Sequence, residues 1–220
     1  NYCGSSYVRE KTLAAHMCEK KRRHLQKDEK RVRYGMYAFN RFYKLSAGLK
    51  KEKTYEEFCN SQYYNAFVKF GRFIMHIDPL YPDKYIDFVL RSKIKLDHWA
   101  RDDLYETYLI EALKTEPVEA ALQRSITTMM DWATEQNAQW SDYFRLVNAN
   151  RAVQHIQQGK ISPWLLLGCN AGKKMLKSLN DEQLQMIEKF INPSFWPSKL
   201  KSYPADLMLV QDTAKEAKIV

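Results

Sequence analysis

Apolar residues recur along this chain at spacings of three and four, and strict alternation is nearly absent. That period marks one buried face of a helix. Val32, Met36, Phe39 and Tyr43 form such a face. The charged stretch 19–34, free of Pro and Gly, leads straight into it, so one continuous helix is expected over both. Gly48 and the run Lys50-Lys51-Glu52-Lys53 close that helix. Thr54 with Glu57 makes a capping-box pair, and Tyr63, Tyr64, Phe67, Phe70 and Ile74 form an aromatic stripe behind it. Pro79 and Pro82 mark a break, after which Tyr85, Phe88 and Val89 begin another helix. Asp97 is expected to cap a helix carrying Leu104, Tyr108 and Leu109. Pro117 sits at a helix start, where its missing N–H costs nothing, and Leu122, Ile126, Met129 and Met130 follow. Ser141 is expected to cap the segment of Phe144, Leu146 and Val147. Ser162-Pro163 is expected to open a short apolar helix, with Asn170 and Asn180 capping two more.

Composition narrows this picture. With 7 Gly and 7 Pro in 220 residues there is little room for hairpins or long loops. No apolar run approaches the roughly 20 residues that a membrane span needs, and no signal peptide is expected. The chain does not begin with Met, so it is expected to be a fragment, a processed product or an incomplete sequence. Cys3, Cys18, Cys59 and Cys169 show no disulfide framework, which points to a reducing compartment. Cys59 and Cys169 fall in helical patterns and read as small core residues.

Charge is more informative. The formal net charge is +9, and residues 1–53 hold 15 Lys/Arg against 5 Asp/Glu, a net of +10. The first quarter therefore carries all the excess. Counterion release makes such a segment a phosphate binder. The plainer alternative is a solvated basic arm, or one that docks on an acidic protein.

The first 18 residues carry a specific spacing. After Cys3 come three residues, Tyr7, five residues, Leu13, two residues and His16. Gly4 follows the Cys, where a metal knuckle favours a residue without bulk. This segment resembles a truncated zinc finger of the two-cysteine, two-histidine type, a unit whose aromatic and Leu pack beneath the metal because it has no other core. The resemblance implies Zn held by Cys3 and His16. The first hairpin Cys would lie just upstream of Asn1. For the remaining ligand Cys18 is favoured over His24, which on a continuous helix would lie about 12 Å up the axis. The alternative is a free Cys18 with His16 exposed. Read as its relatives read DNA, the finger would present Arg9, Lys11, Thr12 and Ala15 to bases, with Arg9 suited to guanine. Lys20, Lys21, Arg22, Arg23, Lys27, Lys30, Arg31 and Arg33 would lie along phosphates. Their plain alternative is a solvated helix face softened by Glu19, Asp28 and Glu29.

No enzymatic signature stands out, and a non-catalytic protein is expected. His98, Asp102 and Glu106 have metal-compatible spacing on a helix, but a surface ion pair is the simpler reading. Asn170-Ala171-Gly172-Lys173-Lys174 departs from a phosphate loop, because its Gly is misplaced and no strand precedes it. Residues 161–187 are expected to give three short helices, either a helix-turn-helix variant with Lys173, Lys174 and Lys177 on phosphates or a plain helical subdomain.

The phrases YYNAFVKFG, DPLYPDKYIDFV, KLDHWARDDLYETY and KISPWLLL make the body similar to proteins of large contractile-tailed phages, particularly those infecting cyanobacteria, in which a similar finger precedes a helical body. That likeness brings no activity with it. It implies a viral protein in the cytoplasm of the infected cell or in the virion.

The expected fold class is all-α: a small zinc-finger-like segment (1–18), a basic helical segment (19–53) and a multi-helix globular body (54–220). The expected role is nucleic-acid binding, DNA ahead of RNA, accessory to phage transcription, replication or packaging. The alternative is a virion structural or adaptor protein whose finger docks on another phage protein. Neither a membrane nor a small-molecule substrate is expected.

Overall fold

The computed structural model describes residues 4 and 6–219. Every regular element among them is helical. In chain order these are α1 (Glu10–Ala15), α2 (Glu19–Leu25), α3 (Lys30–Ala47), α4 (Tyr55–Asn60), α5 (Tyr64–Ile77), α6 (Pro82–Arg91), α7 (Asp102–Thr115), α8 (Val118–Gln136), α9 (Tyr143–Leu146), α10 (Ala149–Gln157), α11 (Pro163–Gly168), α12 (Asn170–Ser178), α13 (Asp181–Ile191), α14 (Trp196–Ser202) and α15 (Pro204–Glu216), with single 3₁₀ turns at Leu96–His98 and Trp140–Asp142. The chain forms two compact units, residues 1–108 and 109–220, and the division falls inside α7. No helix among the described residues is long and apolar enough to cross a membrane.

The first unit is organised around the crossing of α3 and α5. Gly35 and Gly71 sit where the two backbones meet: a Cβ on Gly35 would lie 2.8 Å from the Phe67 carbonyl oxygen. The absent side chains let the helices approach closely, and aromatic rings fill the flanks. Phe39 and Phe67 meet edge to face at 5.4 Å, and Trp99 caps Phe67 and Phe70 at 5.7 and 5.4 Å. Phe39, Phe58, Phe67 and Phe70 are all buried. Gly48 ends α3 in the left-handed region at φ 63°, which costs glycine little.

Several local expectations need correction. The charged stretch 19–34 does not run as one continuous helix into residues 35–47. The chain leaves α2 at Gln26, turns, and restarts at Lys30 behind an extended Glu29. The reason is that α2 has no apolar face to continue the buried stripe of α3; its Leu25 is 60% exposed. Asp97 does not cap α7; it lies in the Leu96–His98 turn. That turn buries Trp99, whose Nε1–H donates to the Ile94 carbonyl at 2.8 Å, and α7 begins only at Asp102. His98 therefore shares no helix face with Asp102 and Glu106. Ser141 lies within the 3₁₀ turn, and Asp142 precedes α9. Asn170 is the first residue of α12 rather than its cap, because Cys169 Sγ accepts the Gly172 N–H at 3.3 Å.

The second unit contains the three short helices expected over 161–187, namely α11, α12 and α13. Trp164 and Trp196 pack edge to face at 5.9 Å in its core. A buried polar cluster ties its elements together. The guanidinium of Arg124 holds the fully buried Glu116 carboxylate through two bonds of 2.6 and 2.7 Å and also donates to the Gly159 carbonyl at 2.7 Å. The Ser162 hydroxyl donates to Glu116 at 2.9 Å.

Candidate nucleic-acid interface

Divided by unit, the charge asymmetry persists in milder form. Residues 1–108 hold 22 Lys/Arg against 14 Asp/Glu, a net of +8, while residues 109–220 hold 13 against 12. Two helices of the first unit contain no acidic residue at all: α3, with five Lys/Arg, and α5, with two. On α3 the buried residues are Val32, Gly35, Ala38 and Phe39. Lys30, Arg33, Tyr37, Arg41 and Lys44, spaced by three and four, fall on the opposite face. Lys30, Arg33, Tyr37 and Lys44 are exposed there. On α5, Lys69, Arg72 and His76 are exposed.

The residues expected to touch phosphate separate into two groups. Lys20, Lys27, Lys30 and Arg33 are exposed and make no ion pair among the described residues. Arg22 is exposed and pairs with Glu19, while Arg31 is half-buried and bonds Glu29 at 2.6 Å. Lys21 folds back, its ammonium donating to the His16 carbonyl at 3.1 Å. Arg23 points inward. Its guanidinium donates to the Cys59 carbonyl at 2.7 Å, pairs with Glu19 at 3.1 Å and lies 4.3 Å over the Tyr64 ring. A guanidinium with those partners fastens α2 to α4 and α5, and reaching phosphate would break all three contacts. Arg9, Lys11 and Thr12 are exposed at the start of α1.

Tyr37, Arg41 and Lys44 lie beyond Arg33, where the run expected to touch phosphate ends. The signal was present, because these continue the spacing of Lys30 and Arg33. Arg41 is the half-committed member: its guanidinium forms a bidentate pair with Asp87 of α6, and that carboxylate raises its already high pKa further.

The finger-like segment is described only in part. Cys3 lies outside the described residues. α1 ends at Ala15 with His16 as its C-cap in an extended conformation, which is the turn that would bring Cys18 back. The Tyr7 ring lies 4.8 Å from that of His16. Cys18 caps α2, its Sγ accepting the Lys21 N–H at 3.4 Å. Leu13, which the resemblance would place beneath a metal, is 48% exposed, and α1 buries no residue. Among the described residues no three His, Cys, Asp or Glu side chains converge as a metal site.

Comparison with protein-family models, curated proteins and solved structures found no match for this chain.

Proposed function

We propose that this protein binds nucleic acid without catalysis, through the phosphate-facing basic surface of α2 and α3. The observation that carries the reading is the acid-free outer face of α3 on a unit of net charge +8. Neutralising several phosphates at once releases their counterions, which gives affinity to a duplex without base contacts. Such binding suits an accessory role in phage transcription, replication or packaging, with DNA as the first candidate.

The same reading assigns Zn to Cys3, His16 and Cys18. In its favour are the chain reversal at His16 and the hydrogen bond that the Lys21 N–H donates to Cys18 Sγ, of the kind that thiolate ligands receive. Two described donors fall short of the four of a closed structural site, and the exposed Leu13 departs from the finger pattern. A bound ion would order α1 so that Arg9, Lys11 and Thr12 extend the basic surface.

The test is duplex binding across a salt series, with zinc content measured on the same protein. Salt-sensitive binding that loses about two units of log–log slope in the double variant Lys30→Glu, Arg33→Glu supports the reading. Binding that ignores salt, or none at all, overturns it. One zinc per chain without DNA binding would instead favour the finger as a protein-docking clip on another phage protein.

A further inference from the structure

A cleft of about 600 Å³ opens on the first unit beside the C-terminal half of α3. That lies within the range of small-ligand sites, roughly 300–1,000 Å³. Tyr43, Lys53, Glu56, Asn60, Gln62 and Tyr63 line it, over the buried Phe39. Tyr63 is 44% exposed, and its ring meets no other ring among the described residues. The amides of Asn60 and Gln62 are exposed beside it. Lys53 stands 4.9 Å over the Tyr43 ring and 3.0 Å from the Glu57 carboxylate. That carboxylate also accepts the Thr54 N–H at 2.7 Å. Glu56 and Glu57 both line the cleft, so its interior repels a phosphate and admits a neutral planar group. Outside it the charge reverses: Lys44, Lys50 and Lys51 are exposed within a few residues of Tyr43 and Lys53.

We infer that this cleft holds a base of single-stranded nucleic acid, stacked on Tyr63 and met at its edge by Asn60 and Gln62, while the flanking phosphates lie on Lys44, Lys50 and Lys51. The inference rests on the nucleic-acid reading and narrows it. A base in a duplex is paired and stacked and cannot enter, whereas a single strand offers its face freely. The first unit therefore grips single strands more tightly than duplexes of equal length.

The experiment measures anisotropy of labelled oligo-dA, oligo-rA and duplex DNA with the full chain. A parallel series carries 2-aminopurine within the oligo-dA. Stacking on an aromatic side chain strengthens binding by about tenfold or more per base. Oligo-dA should therefore bind about tenfold tighter than duplex, and Tyr63→Ala should remove that advantage while duplex binding and helix content stay unchanged. Tyr63→Phe should retain it. The 2-aminopurine should be quenched on binding, less so with Tyr63→Ala. The oligo-rA arm shows whether the 2′-hydroxyl is accommodated, and binding of either strand type with Tyr63 dependence supports the inference. Duplex binding with no effect of Tyr63→Ala on single strands overturns the base site and leaves the phosphate surface standing. Loss of all binding overturns both.

Discussion

A Cβ added to Gly71 would lie 2.1 Å from the carbonyl oxygen of Arg31. Backbone, not a flexible side chain, stands in the way, so α3 and α5 would have to separate. Gly71→Ala should destabilise the first unit by about 2–3 kcal/mol, the range of overpacked cores. Gly48→Ala, at a left-handed cap with open space around it, should cost only about 1 kcal/mol. Urea unfolding followed by tryptophan fluorescence orders the two variants; equal losses would contradict the close crossing.

Arg22 and Arg23 are neighbours in sequence, yet Arg22 is exposed beside Glu19 and Arg23 bonds inward. Arg23→Ala removes the bond to the Cys59 carbonyl and the contact over Tyr64. It should lower stability by about 1–3 kcal/mol and leave the salt slope of DNA binding nearly intact. Lys30→Glu with Arg33→Glu should do the reverse. Paired melting and binding measurements separate the roles. A full-strength slope change from Arg23→Ala, with no loss of stability, would show that it contacts phosphate after all.

The Glu116–Arg124 pair is buried, and removing one partner strands the other charge. Arg124→Met should cost about 3–5 kcal/mol, read from denaturant midpoints. The joint change Glu116→Gln, Arg124→Met should recover part of that loss. A single change costing under about 1 kcal/mol would mean that water reaches the cluster.

His155 gives the second unit an acid limit. Its Nδ1 lies 2.7 Å from the Tyr143 hydroxyl in a buried stack, and burial, aided by Arg151, pushes its pKa down to about 4. The unfolded chain takes up the proton near pH 6.5. Between those values the unfolded state holds more protons than the folded one. This contribution is therefore complete above about pH 6.5 and lost as pH falls toward 4, at most about 3 kcal/mol. His155→Phe should flatten the stability profile over that window. A wild-type profile already flat from pH 7 to 4.5 would rule this out.

What could be read from the sequence was local. The Thr54–Glu57 and Asn180–Gln183 caps each close within three residues, and both form as capping boxes. The break between α2 and α3 had a local sign in the missing apolar face of residues 19–25, but the inward turn of Arg23 had none, because its carbonyl partner lies 36 residues away. Nor could the α3–α5 crossing be read, since two glycines become a contact only when the helices are paired. Tyr63 and Tyr64 read as one stripe, yet a single-residue step turns one outward and the other to 3% exposure. The exposed cations of the candidate surface were legible as charge. Their division into solvent-facing and inward-bonded groups was not, because it depends on tertiary partners.

The locked crossing also makes α3 a ruler. Lys30 and Lys44 are 14 residues apart, about 21 Å along a helix that cannot bend away from α5. Cations held at fixed separation cannot follow a shorter ligand inward. A duplex rises about 3.4 Å per base pair, so on the proposed reading one shorter than roughly six base pairs would leave one end of the stripe facing water.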